Sequence, residues 1–187
     1  MLIEPGPIHG SLIVDVERRG DARGSFARRY CVDELAAAGL RDTPVQWNYS
    51  DNAETGTLRG LHYQVAPHGD AKYLMCIVGE VFDVMVDMRE DSPTYGRWHG
   101  ERVSANNQRA VYIPEGCAHG YMALADGAAV LYAAFGRYAP DAERGVRWND
   151  PSVGIDWPMR PTSVSEKDQL WPDVHWARPI GVAGGGA

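Results

Sequence analysis

Lysine is nearly absent from this sequence. Its 187 residues contain two, Lys72 and Lys167, and every other basic side chain is an arginine. A lysine can shift its pKa with its surroundings and an arginine in practice cannot, so both lysines stand out. Cysteine is almost as scarce: Cys31, Cys76 and Cys117 stand alone, with no CxxC spacing. That argues against a disulfide frame and fits reduced thiols in a cytoplasm. No apolar run approaches the roughly 18 residues of a membrane span. The start, MLIEPGPIHG, has neither the basic residues nor the apolar stretch of a secretory signal. Positive charge is short as well. A net charge of -7 argues against a nucleic-acid partner, because phosphate neutralisation needs a basic surface, yet it leaves room for a local pocket that takes a small anion.

Turn chemistry is plentiful. The 21 glycines and 12 prolines punctuate short apolar runs, which is an all-β signal. The clearest strand is Val81 to Met88, with Phe82, Val84, Val86 and Met88 on one face and Asp83, Met85 and Asp87 on the other. It follows Tyr73 to Val78 across Gly79-Glu80, and the pair reads as a hairpin. Further runs are Ala110 to Ile113, Tyr121 to Leu124 and Ala129 to Phe135. One helix is expected after a capping Asp33, with Gly39 as its left-handed stop, and a second near Ser165. The sum is a mainly β chain, an antiparallel jelly-roll β-sandwich with short helical appendages. Residues 1–181 read as one domain, and 182–187 as a loose Gly-rich tail.

Several residues have the right chemistry for a site, and each also has an ordinary explanation. In Arg59-Gly60-Leu61-His62-Tyr63-Gln64, alternation sets Arg59, Leu61 and Tyr63 against Gly60, His62 and Gln64. A glycine beside a histidine on one face leaves space for a ligand; the alternative is a core histidine satisfied by one hydrogen bond. Lys72 opens the next strand, where a lone lysine is commonly a solvated edge residue. Tyr132 lies in an apolar strand and its hydroxyl must be either structural or reactive. Asp168 follows Lys167 and can be plain surface. Pro114-Glu115-Gly116-Cys117-Ala118-His119 has the PxGxxH pattern of a second cupin motif, whose histidine often binds a metal. The HxH of the first cupin motif is missing, since only His62 is present in Leu61-His62-Tyr63. Two isolated histidines make a poor metal site, so no metal is expected.

Taken together, these segments resemble one family. Arg59 to Gln64, Ala71-Lys72, Gly79 to Val84, Asp91 to Trp98, Ile113 to Gly116, Ala118 to Gly120, Tyr138-Ala139-Pro140, Trp148 to Pro151 and Ile155 to Pro158 look like dTDP-4-dehydrorhamnose 3,5-epimerases. They do so in order and spacing from about Gly10 to about Asp168. The resemblance implies a metal-free, cofactor-independent cupin jelly roll. It also implies a homodimer acting on a nucleotide-linked 4-keto-6-deoxyhexose. It makes His62 the base, Asp168 its partner, Lys72 the stabiliser of an enolate and Tyr132 the acid. It places the nucleotide base on Tyr138 and lines the substrate site with Arg23, Gln46, Asn48, Arg59, His119, Glu143 and Lys167. Arg23 would come from a strand that crosses to the other subunit, and the apolar Ser11 to Val16 offers a candidate for an exchanged strand.

The chemistry agrees with those roles. A C4 ketone acidifies the hydrogens on C3 and C5, because the carbanion is an enolate. Inversion then needs a base on one face and an acid on the other, each contributing roughly 10²–10⁴-fold. The ketone itself is the electron sink, so no cofactor is required. Arg28, Cys117 and Phe135 depart from the family pattern and are expected near the pocket, where they would affect substrate choice. The readings that compete are a single-site 3- or 5-epimerase, a ketoisomerase, a metal-dependent cupin and a non-catalytic sugar-binding module.

Overall fold

The protein's structure, a computed structural model, describes residues 1–40 and 42–177. The Gly-rich tail at 182–187 and the expected boundary at 181 lie outside the described residues. The strands are β1 (Leu2–Pro5), β2 (Leu12–Asp15), β3 (Arg19–Asp21), β4 (Gly24–Phe26), β5 (Gln46–Asn52), β6 (Thr57–Gln64), β7 (Lys72–Val78), β8 (Glu80–Asp87), β9 (Trp98–Ser104), β10 (Ala110–Ile113), β11 (Cys117–Ala123), β12 (Ala128–Ala134), β13 (Glu143–Gly145) and β14 (Ser163–Val164). Among the described residues two short α-helices, α1 (Val32–Ala37) and α2 (Glu166–Gln169), and a 3-10 turn at Pro140–Ala142 accompany them. One sheet runs β1-β2-β10-β7-β12-β5 and the other β13-β6-β11-β8-β9, with β14 on β6 and with β3 and β4 forming a separate hairpin.

The two large sheets face each other. Between them lie Leu74, Cys76, Val111, Ile113 and Val130 from the first sheet and Val81, Met85, Val103, Cys117 and Tyr121 from the second. Fully burying one such apolar side chain contributes roughly 1.5–3 kcal/mol. The alternation expected in β8 is present, but both of its faces are buried. Val81 and Met85 point between the sheets, while Val84 and Val86 are covered by Val146, Val153, Trp148, Trp157 and Trp176 of the C-terminal segment. On the outside of the first sheet, Leu35 of α1 packs with Leu40, Tyr73 and Met75.

Three local expectations change. Strands β7 and β8 do not form a hairpin: β7 pairs with β10 and β12, β8 with β11 and β9. Gly79, at φ 70°, carries the chain from one sheet to the other, a corner that shows the same alternation as a hairpin turn. Helix α1 begins after Cys31, with no side-chain cap, and Asp33 sits in its first turn. The left-handed Gly39 and the Ser165 cap of α2, whose side chain accepts from the Asp168 amide, are as expected. Finally, β2 is enclosed by β1 and β10 of its own chain, so both edges of that candidate exchange strand are occupied. No helix among the described residues is long and apolar enough to cross a membrane.

Candidate active site

The two sheets part at one end into a cleft with two compartments, of about 490 and 430 Å³. His62, Lys72 and Tyr132 line both. His62 comes from the second sheet; Lys72 and Tyr132 come from neighbouring strands of the first. The histidine thus faces the lysine and the tyrosine from the opposite wall.

A bulge decides what else reaches the cleft. His62 pairs with His119, while Arg59 pairs with Tyr121, so β6 carries one residue more than β11 between these points. Simple alternation would send Arg59 to the side of Leu61. The bulge instead turns Arg59 to the face of His62, and Leu61 is buried among Val84 and Val86. The space beside Gly60 is not left for a ligand. A Cβ there would lie 2.6 Å from the Gly120 Cα and 2.7 Å from the His119 carbonyl, so the glycine allows the two strands to approach.

The His62 Nε2 lies 2.5 Å from Asp168 Oδ1, and the other oxygen of Asp168 accepts from the Gly60 amide at 3.1 Å. Asp168 is only 4% exposed. Burial pushes its carboxyl up, but hydrogen bonds and charge from His62, then the Gly60 amide and Ser165, outweigh it and hold the group below the usual carboxylate range. An ionised carboxylate only accepts, so Nε2 carries the proton and Nδ1 is left as the basic nitrogen. A second pair, His119 Nε2 to Asp83 Oδ2 at 2.7 Å, is buried beside it.

On the opposite wall, the Tyr132 hydroxyl has no hydrogen-bond partner among the described residues, which favours the reactive alternative over the structural one. Burial first, then Tyr121 and Asp70, raise its pKa, and Arg59 opposes them. Lys72 is a cleft residue and not a solvated edge: its side chain is 14% exposed, with the ammonium 3.3 Å from Asp70 Oδ2. Gln46, Asn48 and Ser50 share the inward face of β5. Asn48 stands directly opposite Tyr132, and its buried Nδ2 has no partner among the described residues. Arg59 Nε donates to Asn52 Oδ1 at 2.9 Å. Tyr138, Glu143 and Lys167 form one chain at the mouth, with Glu143 accepting from Lys167 Nζ at 2.7 Å and from the Tyr138 hydroxyl at 3.2 Å.

Eleven of the twelve expected residues therefore stand in or beside the cleft. The exception is Arg23. It sits at the tip of the β3–β4 hairpin, 90% exposed, and pairs with Asp21. Sequence reasoning missed Asp70, Ser50, Asn52, Asp83 and Trp171. The two-residue spacing from Gln46 through Asn48 to Ser50 and Asn52 was a usable signal. Trp171 gave none. Its ring lies 6.2 Å from that of His62 and fills the space above Gly145. Among the described residues no three His, Cys, Asp or Glu side chains group as a metal site.

Comparison with known proteins decides the family. The model for dTDP-4-dehydrorhamnose 3,5-epimerase matches residues 5–175. The chain belongs to the dTDP-4-dehydrorhamnose 3,5-epimerase family. It is 43% identical over 158 residues to the 3,5-epimerase of Shigella flexneri, covering 84% of this chain and 87% of that protein. It is 41% identical over 169 residues to the dTDP-4-dehydrorhamnose 3-epimerase of Streptomyces niveus, covering 90% and 82%. The crystal structure of the Bacillus anthracis 3,5-epimerase with TDP and PPi bound superposes with a TM-score of 0.89 at 35% identity, covering 92% of this chain and 99% of that one.

In this epimerase, three departures expected near the pocket lie outside it. Arg28 pairs with Glu34 at 2.6 Å on the far side of the first sheet. Phe135 packs edge-on against Tyr112, on the outer face. Cys117 is buried between the sheets, and burial pushes its thiol up to about 12, so it is an inert core residue.

Proposed function

We propose that this epimerase inverts C3 and C5 of a dTDP-linked 4-keto-6-deoxyhexose. The sugar lies between the two sheets. Nδ1 of His62 takes the proton from carbon, and Asp168 holds the ring and balances the imidazolium that forms. The electron pair passes to the C4 oxygen, beside which the Lys72 ammonium stabilises the enolate. Fixed charge aimed at developing charge is often the largest catalytic contribution. Tyr132 returns a proton to the opposite face of the carbon, and solvent resets both groups. Arg59 and His119 bind the diphosphate, Asn48 and Gln46 hold the ligand along β5, and the base rests on Tyr138 at the Glu143–Lys167 mouth.

The observation that carries this reading is the opposition of walls, with the His62–Asp168 pair on one and Tyr132 with Lys72 on the other. A ketoisomerase would need its base and acid on one face. The exposed Arg23 on its hairpin supports a homodimer in which that arginine completes the site of a second copy. We place the enzyme in the cytoplasm, on the strength of its three free thiols.

The test is solvent exchange. With dTDP-4-keto-6-deoxyglucose in D₂O, proton NMR should show loss of both the H3 and H5 signals with formation of the inverted product. Loss of H3 alone would make the enzyme a 3-epimerase, as the Streptomyces niveus relative is named. Bound substrate with no exchange would leave a binding module.

A further inference from the structure

Among the described residues Lys72 is the only positive group that the first sheet brings to the cleft, and its four-carbon stem has rotamers to spare. What fixes it is the segment before β7. Asp70 is 14% exposed, the same as Lys72, and lines the second compartment beside Tyr132. Its two oxygens are divided between two tasks. Oδ1 accepts from the Gly136 amide at 3.0 Å, in the turn that follows β12, and Oδ2 faces the Lys72 ammonium at 3.3 Å. The backbone closes around this contact: a Cβ on Gly136 would lie 2.3 Å from the Gly69 carbonyl and 2.9 Å from the Asp70 Cα. The carboxylate is therefore clamped, and the lysine is the flexible partner.

We propose that Asp70 is a positioning residue for the reaction, holding the Lys72 ammonium where the enolate oxygen forms and so coupling the lysine to the Tyr132 strand through Gly136. The inference rests on the function proposed above. An anion beside a catalytic cation has two opposite effects. It orients the cation, and it offsets part of the cation's field. Here orientation dominates, because misplacement of a reacting group by about 1 Å can cost on the order of 100-fold. Asp70 also faces Tyr132. The charged and titratable groups that share the cleft with that hydroxyl are His62, Arg59 and Tyr63 from β6, His119 and Tyr121 from β11, Lys72 from β7, Asp70 itself, and Tyr138, Glu143, Lys167 and Asp168 at the mouth and in α2. Burial and Tyr121 come first in raising the Tyr132 pKa and Asp70 adds to them, so the same carboxylate helps keep the acid protonated.

The scarcity of lysine makes a direct test possible. Protein labelled with ¹⁵N at lysine Nζ carries two side-chain ammonium signals, from Lys72 and Lys167. Lys72→Arg identifies the first, and the Glu143-bound Lys167 serves as an internal control. In wild type the Lys72 signal should be narrow, and in Asp70→Asn it should broaden and move while the Lys167 signal stays. An unchanged Lys72 signal overturns the proposal whether or not the substrate is right. In turnover of dTDP-4-keto-6-deoxyglucose, Asp70→Asn should lower kcat by about tenfold or more, with KM nearly unchanged. Its alkaline limb should move to lower pH, and Asp70→Glu should recover part of the rate. A kcat at or above the wild-type value, or a lower kcat with an unmoved pH profile, overturns it. So does loss of dTDP binding in both variants, which would make Asp70 a structural residue. If wild type itself does not turn over, the proposed function fails, and the lysine signals still decide the role of Asp70.

Discussion

Gly60 and Gly120 face each other where β6 crosses β11, so close that a Cβ on either would strike the other strand's backbone. Gly60 has φ 109°, and its missing side chain lets the bulge form that turns Arg59 and His62 to one wall. Gly60→Ala should destabilise the fold by about 2–4 kcal/mol, since overpacking against backbone and an unfavourable φ act together. Urea denaturation measures this, and a loss under 1 kcal/mol would show that the strands can part without cost.

Asp168→Asn tests the His62 partnership. The amide can no longer balance an imidazolium, and its NH₂ competes with the Nε2 proton. The expected loss in kcat is roughly 10²–10⁴-fold, with dTDP binding retained. His62→Ala should lose at least as much. A His62→Ala enzyme as fast as wild type would remove His62 from the mechanism.

Tyr132→Phe separates exchange from inversion. With the base intact and the opposite acid removed, His62 can take a proton and return deuterium to the same face. Deuterium incorporation should continue while formation of the inverted sugar falls about 100-fold or more. Because the Tyr132 pKa is raised, wild-type activity should not decline from tyrosine ionisation until pH exceeds the ordinary value of 10.0. Equal losses of exchange and inversion in Tyr132→Phe would contradict its placement as the opposite acid.

Asp150 ties two stretches of the C-terminal cover to each other, the turn at Ser152 and the segment at Val174. It accepts from Ser152 Oγ and from the amides of Ser152 and Val174, the last at 2.6 Å. Burial raises its pKa, but these hydrogen bonds prevail and the folded value lies below 3.8. Its stabilising effect is therefore fully present above that pH and is lost as pH falls through the folded pKa. Asp150→Asn should be less stable than wild type at pH 7, and the gap in melting temperature should shrink below about 3.8. A gap that stays constant with pH would show that the carboxylate's charge is not involved.

The sandwich, the strands and the chemistry of His62, Lys72 and Tyr132 were legible because alternation and motif spacing are local. Partner choice between strands is not. The Gly79 corner reads as a hairpin because the period of two continues through it, whichever sheet receives the next strand. Alternation alone sends Arg59 to the wrong wall, because one inserted residue reverses the faces on either side of it, whereas the family resemblance places Arg59 in the site. Nothing local in the sequence marks Asp70, because the turn that holds its carboxylate against Lys72 comes from Gly136, far along the chain. Phe135 and Arg28 were expected near the pocket from their place in the motif order, and the strands carry them to the outer face.

Asp168 lies 106 residues beyond the histidine it serves. Helix α2, which carries it, follows every strand of both sheets in chain order. A chain emerging from the ribosome therefore has its base, cation and acid made well before the carboxylate that orients the base. His62 is therefore without its partner until α2 docks beside β6, and a chain cut before α2 would keep all three of those groups and lack the carboxylate that orients the base.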